Sequence, residues 1–172
     1  MLVSKDISDK FFSIYYPLLY YGNSYFNIYK NINNSNDMFS LKPDKLYKIR
    51  NQIFAIRNVI DSYIRDNSQI LEEENVKILK IWKKEAKNLD LFYYQENNKS
   101  VFYNIDLKEK LNIYGLTDDP DNIEILKNYP LIVSSIVLPL NNYLIWDGLF
   151  SISEISKDKR IKEVIREIII SK

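Results

Sequence analysis

The sequence predicts an α+β fold in which a helical N-terminal half, of about three helices, packs on an antiparallel sheet of four to five strands and is followed by a C-terminal helix. Three observations lead there. Apolar residues recur at helical spacing through roughly the first half, the period then falls from about 3.6 to 2, and an amphipathic run returns near the end. At 172 residues the chain has the length of one ordinary domain, long enough to bury roughly two-thirds of its unfolded surface. The expected organisation is a single α+β domain over 1–172, without linker or internal repeat.

The first helix is expected from Asp6 to about Ile32, with Phe11, Tyr15, Leu18, Tyr25 and Tyr29 near one face. Pro17 lies inside it, so a kink or a break into two shorter helices is expected there, at a cost of about 3 kcal/mol. "NNSND" (33–37) reads as a loop. Pro43 and Asp44 suit a first helical turn, and Leu46, Ile49, Ile53, Ile56, Ile60 and Tyr63 then repeat at spacings of three and four, which predicts one long helix. A third helix begins near "LEEEN", with its acids first and its lysines last, and buries Val76, Leu79, Trp82 and Ala86.

"LDLFYYQ" (89–95) and "SVFYNI" (100–105) flank "ENNK" as a hairpin, and "LNIYGL" (111–116) supplies a third strand. "LIVSSIVL" (131–138) is apolar on both faces, interrupted only by its serines, as expected of a central strand covered on each side, and Pro139 is expected to end it. Asn141 and Asn142 tolerate the positive φ of a two-residue turn, so "YLIWD" should return antiparallel, with Gly148 turning the chain out of the sheet. A last helix is expected from about Lys157, capped by Ser156 and burying Ile161, Val164, Ile165 and Ile168.

Composition narrows the chemistry. The chain has no histidine and no cysteine, which removes the commonest general acid/base, the commonest metal ligand, disulfides and thiolate sites. Its 24 basic residues balance 23 acidic ones, so no overall basic field attracts nucleic acid. The N-terminal segment lacks the apolar stretch of a signal peptide, and no apolar run approaches the roughly 20 residues that cross a bilayer, so a cytoplasmic location without membrane contact is expected. Heavy use of Ile, Asn, Lys and Tyr fits an AT-rich genome, such as that of a low-GC bacterium or one of its phages.

Candidate reactive groups have ordinary explanations. Asp118, Asp119 and Asp121 in "TDDPD" could hold Mg²⁺ or Ca²⁺, which leaves a carboxylate enzyme as the third-ranked alternative, but acids around a proline are common turn chemistry. Ser156 and Lys159 match S-x-x-K without the companion elements of the penicillin-recognising enzymes. Ser134 and Ser135 are expected to bond to neighbouring backbone, and Asp147 in "WDG" to serve a turn. Neither a metal nor a cofactor is expected.

Two features stand out as candidate partner-binding surfaces. Lys77, Lys80, Lys84 and Lys87, with Lys83 beside them, form a basic stripe opposite the buried face of the third helix. In the aromatic hairpin, Phe92 and Tyr94 point to one face and Tyr93 to the other, joined across the turn by Phe102 and Tyr103.

The run "PLIVSSIVLPLNNYLIWDGLF", with "NIYGLTDD", "FFSIYYPLLYYGN" and "ILKIWKK" upstream, resembles a family of small uncharacterised bacterial proteins with a "LLPF…IIYDGLL"-type hairpin, an aromatic N-terminal helix and a Trp-Lys ending a middle helix. The resemblance implies the same fold and brings no known activity. After Asp-Gly-Leu that family tends towards glycine and paired arginines, whereas this chain reads "FSISEISKDKRIKEV".

Together these observations predict a non-enzymatic macromolecule-binding protein whose partner is a protein. In its specific form this is an inhibitor or regulator carried by a phage or mobile element, of the anti-defence or anti-CRISPR type. The alternative is a single-stranded nucleic-acid binder, with sheet aromatics stacking bases and the lysine stripe following phosphates.

Overall fold

A computed structural model of the chain describes residues 1–97, 99–118, 122, 123, 126, 130–153 and 155. They form an α+β protein with two compact units. One unit comprises Ser4–Ala86 with Leu138–Leu140, and the other Met1–Val3, Lys87–Val137 and Asn141–Lys172.

The first unit is helical. Helix α1 spans Lys5–Phe26, α2 Pro43–Ala55, α3 Asn58–Asp66 and α4 Glu73–Glu85, with a 3₁₀ helix at Ser35–Ser40. Ser4 caps α1, and Asn27 ends it in the left-handed region at φ 50°, which a short polar side chain tolerates. The helix therefore stops six residues before the expected Ile32, and Tyr25 is exposed rather than buried. Pro17 lies within α1 without dividing it. Burial of Phe11, Ile14, Tyr15, Leu18 and Leu19 on either side of it, each worth about 1.5–3 kcal/mol, outweighs the one backbone bond lost.

The long helix expected from Pro43 to Tyr63 is instead α2 and α3, separated at Ile56, whose φ of −118° and ψ of 69° are not helical. Ile49 and Ile53 on α2 and Val59, Ile60 and Tyr63 on α3 are buried, while Ile56 faces outward. The break sets Arg57 free to donate to the carbonyls of Lys83 and Ala86 near the end of α4. Trp82 is fully buried against Phe11, with ring centroids 5.2 Å apart, and its Nε1 donates to the Pro139 carbonyl at 2.7 Å. Leu79 and Ala86 are buried as expected, but Val76 is only partly so, and Ile78 takes a core place.

The second unit holds the sheet. Its strands are β1 (Lys87–Glu96), β2 (Lys99–Asn104), β3 (Glu109–Leu111), β4 (Ile113–Tyr114), β5 (Leu131–Leu140) and β6 (Tyr143–Ser153), in the spatial order β3-β2-β1-β5-β6-β4. β1 runs antiparallel to both β2 and β5, and β2 antiparallel to β3. β4 is parallel to β6, pairing Ile113 with Leu144 and Tyr114 with Ile145. The sheet is thus mixed and six-stranded, not antiparallel with four to five strands.

The expected third strand at 111–116 proves to be two short ones serving opposite ends of the sheet. β3 and β4 are separated by Asn112 alone. One continuous piece of chain therefore pairs with β2 at one edge and β6 at the other, which curls the sheet nearly into a barrel and shortens the exposed edges. Alternation along β1 sorts the side chains. Leu91 and Tyr93 join Phe102, Ile113, Leu126, Val133, Val137 and Trp146 in one cluster, and Phe92 and Tyr94 join Tyr103, Ile105 and Ile132 in another.

β5 is internal in the sheet, as its apolar composition requires, but Pro139 lies within it rather than ending it. β6 likewise runs through Gly148 to Ser153 instead of leaving the sheet there. The expected C-terminal helix from Lys157, with its cap Ser156, lies outside the described residues. No described helix is long and apolar enough to cross a membrane.

Candidate binding cleft

β6 carries Trp146, Asp147, Gly148 and Phe150 along one wall of a cleft of about 370 Å³. Trp146 is 3 % exposed and touches two rings, with Phe102 in an edge-on contact at 5.7 Å and Phe150 at 5.0 Å between centroids. Midway between Trp146 and Phe150 along the strand, Gly148 carries no side chain. Gly148 has φ +78°, and a Cβ built there meets nothing within 4 Å. The position therefore combines a backbone shape that favours glycine with open space beside it. Asp147 Oδ1 accepts from the Leu149 N–H at 3.0 Å, a bond that steadies this local bend.

The segment that follows β4 supplies the rest of the lining, with Gly115, Leu116, Thr117 and Asp118, joined by Asn122 and Ile123. Gly115 is fixed by the N-terminus, its N–H donating to the Met1 carbonyl at 2.9 Å and its carbonyl accepting from Val3 N–H at 3.2 Å. Thr117 Oγ1 donates to the Asp118 carboxylate at 3.1 Å. The cleft thus has an aromatic wall and a polar rim with two carboxylates, and no lysine or arginine among its described lining residues.

Trp146 contributes one further feature. Its Nε1–H is buried and makes no hydrogen bond among the described residues. A donor shielded from water without an acceptor costs about 1–3 kcal/mol, and such groups are rare in interiors unless a role retains them.

The residues singled out from sequence lie elsewhere. Lys77 pairs with Glu73 one turn back at 2.8 Å and Lys83 with Asp61 at 2.5 Å. Lys80 and Lys84 are exposed on α4, but Lys87 lies beyond the helix and begins β1, so the stripe is not one helical face. Phe92, Tyr94 and Phe102 are 4 %, 7 % and 3 % exposed. Phe102 belongs to the cluster opposite Phe92 and Tyr94, because its strand partner is Tyr93. All three fill the interior, so this hairpin presents no aromatic platform for stacking bases.

Ser135 Oγ donates to the Leu149 carbonyl at 2.7 Å, as expected of a serine satisfied by backbone, whereas Ser134 Oγ donates to the carboxylate of its cross-strand partner Asp90 at 2.5 Å. Asp118 lines the cleft, while Asp119, Asp121, Ser156 and Lys159 lie outside the described residues. Among the described residues, no group of three or more His, Cys, Asp or Glu is placed to hold a metal ion.

Read separately, "TDDPD" and "WDG" each look like turns, and only the pairing of β4 with β6 brings Asp118 and Asp147 to one cleft. A glycine near an acid, once just after β4 and once within β6, was the available signal. No protein-family model, curated protein or solved structure matches the chain.

Proposed function

We propose that this is a non-enzymatic binding protein that holds a segment of a protein partner in the cleft around Trp146. The observation that carries the reading is the wall itself. Two aromatic rings flank a glycine whose side-chain space is open, next to a buried indole N–H that has no acceptor among the described residues. Concave sites with aromatic walls and a few polar groups are where binding energy concentrates. The absence of histidine and cysteine from the sequence favours recognition over acid–base or thiol chemistry.

The specific form of the reading is a cytoplasmic inhibitor or regulator of a bacterial system, encoded by a phage or other mobile element, of the anti-defence or anti-CRISPR type. It is supported by the AT-biased composition, rich in Ile, Asn, Lys and Tyr.

The test compares two baits in lysate from a low-GC bacterium: the tagged chain and its Thr117→Tyr variant. Thr117 is an exposed lining residue, so the larger ring fills the cleft without entering the core. One stoichiometric protein retained by the first bait and lost from the second is the expected result. No stoichiometric partner, or equal capture by both baits, would overturn the proposal.

A further inference from the structure

We infer that the cleft receives a cationic side chain, an arginine or lysine of the partner protein, seated against Trp146 and Phe150 with its charged head towards Asp118 and Asp147. This rests on the reading that a protein segment occupies the cleft, and it names the chemistry recognised there.

Charge is the first argument. Basic and acidic residues nearly cancel over the whole chain, 24 against 23, yet the described lining carries two carboxylates and no base. A concave site with apolar walls focuses the field of its charges, so the described lining favours cations over phosphates and carboxylates. That local sign favours a basic protein segment over a nucleic-acid backbone.

The walls give the second argument. Indole and phenyl faces attract a guanidinium or ammonium group through the ring quadrupole, and tryptophan does so best. Trp146 and Phe150 touch, with ring centroids 5.0 Å apart, and the space at the Cβ position of Gly148, which stands between them along the strand, is open and leaves room for the aliphatic stem of a long side chain beside the ring pair. Asp118 is exposed and Asp147 half-buried, so one carboxylate meets the ligand at the mouth and the other deeper in. An arginine residue also brings a main-chain carbonyl, an acceptor for the Trp146 N–H, which has none among the described residues. That N–H is shielded from water, so meeting the carbonyl requires the ring to tilt, and its resonance is where occupancy can be read.

The experiment titrates N-acetyl-arginine amide into the ¹⁵N-labelled full chain and follows the two indole N–H resonances by NMR. Trp82 serves as the internal control, because its N–H is held by the Pro139 carbonyl. The Trp146 resonance is identified by its loss in Trp146→Phe. It should move on titration while that of Trp82 stays, and Asp118→Asn with Asp147→Asn should weaken the probe about tenfold. The neutral citrulline counterpart should bind far more weakly.

A Trp146 resonance unmoved by both the arginine and lysine amides, or moved equally by citrulline, would overturn the inference. If the cationic probes fail while Thr117→Tyr still abolishes partner capture, the binding reading stands and only the cation is wrong. If the probes fail and capture ignores Thr117, both fall.

Discussion

Arg57 Nη2 donates to the Ala86 carbonyl at 2.6 Å and Nη1 to the Lys83 carbonyl at 2.8 Å, so one side chain satisfies carbonyls at the C-terminal end of α4. Those carbonyls lack intrahelical partners, and the negative end of the helix dipole favours a cation there. The same guanidinium reaches the Phe54 carbonyl through Nε at 3.3 Å, which ties the α2–α3 break to the end of α4. Arg57→Ala should cost about 2 kcal/mol in urea unfolding, as expected for lost hydrogen bonds to a charged donor. Arg57→Lys should recover less than half, because an ammonium cannot span several carbonyls as a planar fork does. Unchanged stability in Arg57→Ala would show that the clamp contributes nothing.

Gly22 sets how closely α1 approaches α2. A Cβ there would lie 2.4 Å from Cδ1 and 2.5 Å from Cγ1 of Ile53, closer than any real contact. Alanine raises helix propensity by about 1 kcal/mol, but overpacking costs about 1–3 kcal/mol. Gly22→Ala should therefore destabilise the native chain. In an Ile53→Val background, which removes Cδ1, the same change should cost measurably less, and a double-mutant cycle reads the difference directly. Additive effects would mean that the two positions do not compete for space.

How far the fold could be read from sequence follows from the range of the forces involved. The buried faces of α1 and α4 and the pairing of β1 with β2 were legible, because helical period, alternation and turn residues are local signals. The division of α2 from α3 was not, since Arg57 is drawn by carbonyls on a distant helix while the apolar period runs on through Ile56. Nor was the parallel pairing of β4 with β6. β4 contributes only Ile113 and Tyr114, too short for any pattern, and its place is fixed by the strands it joins. The cleft depends on that pairing, so Asp118 and Asp147 looked like unrelated turns. The hairpin aromatics misled for a different reason, in that alternation tells which face a ring takes but not whether that face is covered.

Tyr21 donates its hydroxyl to Asp66 Oδ2 at 2.6 Å. Burial, then the hydrogen bond and charge of Asp66, push the phenol up to about 12, while the bonds from Tyr21 and Arg65 hold Asp66 below the ordinary carboxylate range. The folded state thus keeps the Tyr21 proton at a pH where the unfolded chain, near its ordinary value of 10.0, has released it. The contribution is complete below about pH 10 and is lost as pH rises towards about 12. For Asp66 the sign reverses, and stability present above its ordinary range is lost as pH falls through the lowered folded value. Tyr21→Phe should flatten the decline in melting temperature between about pH 10 and 12 relative to the parent chain. Parallel pH profiles for the two proteins would rule out this linkage.

The turn between β5 and β6 places its demand on one asparagine. Asn141 has φ 53°, in the left-handed region, and it alone of the Asn141–Asn142 pair is at positive φ. The expectation that both residues carry this burden is thereby corrected. A β-branched residue at Asn141 brings Cβ too close to the following carbonyl, at about 1–2 kcal/mol for the left-handed conformation. Asn141→Val should lose about that much stability in chemical unfolding, and Asn141→Gly should lose none, since glycine enters this region freely. Asn142→Val should stay within about 0.5 kcal/mol of the parent, as exposed substitutions away from strained backbone do. Both asparagines are exposed, so no core contact confounds the comparison. Equal losses at the two positions would mean that the turn, and not the one backbone angle, sets the preference.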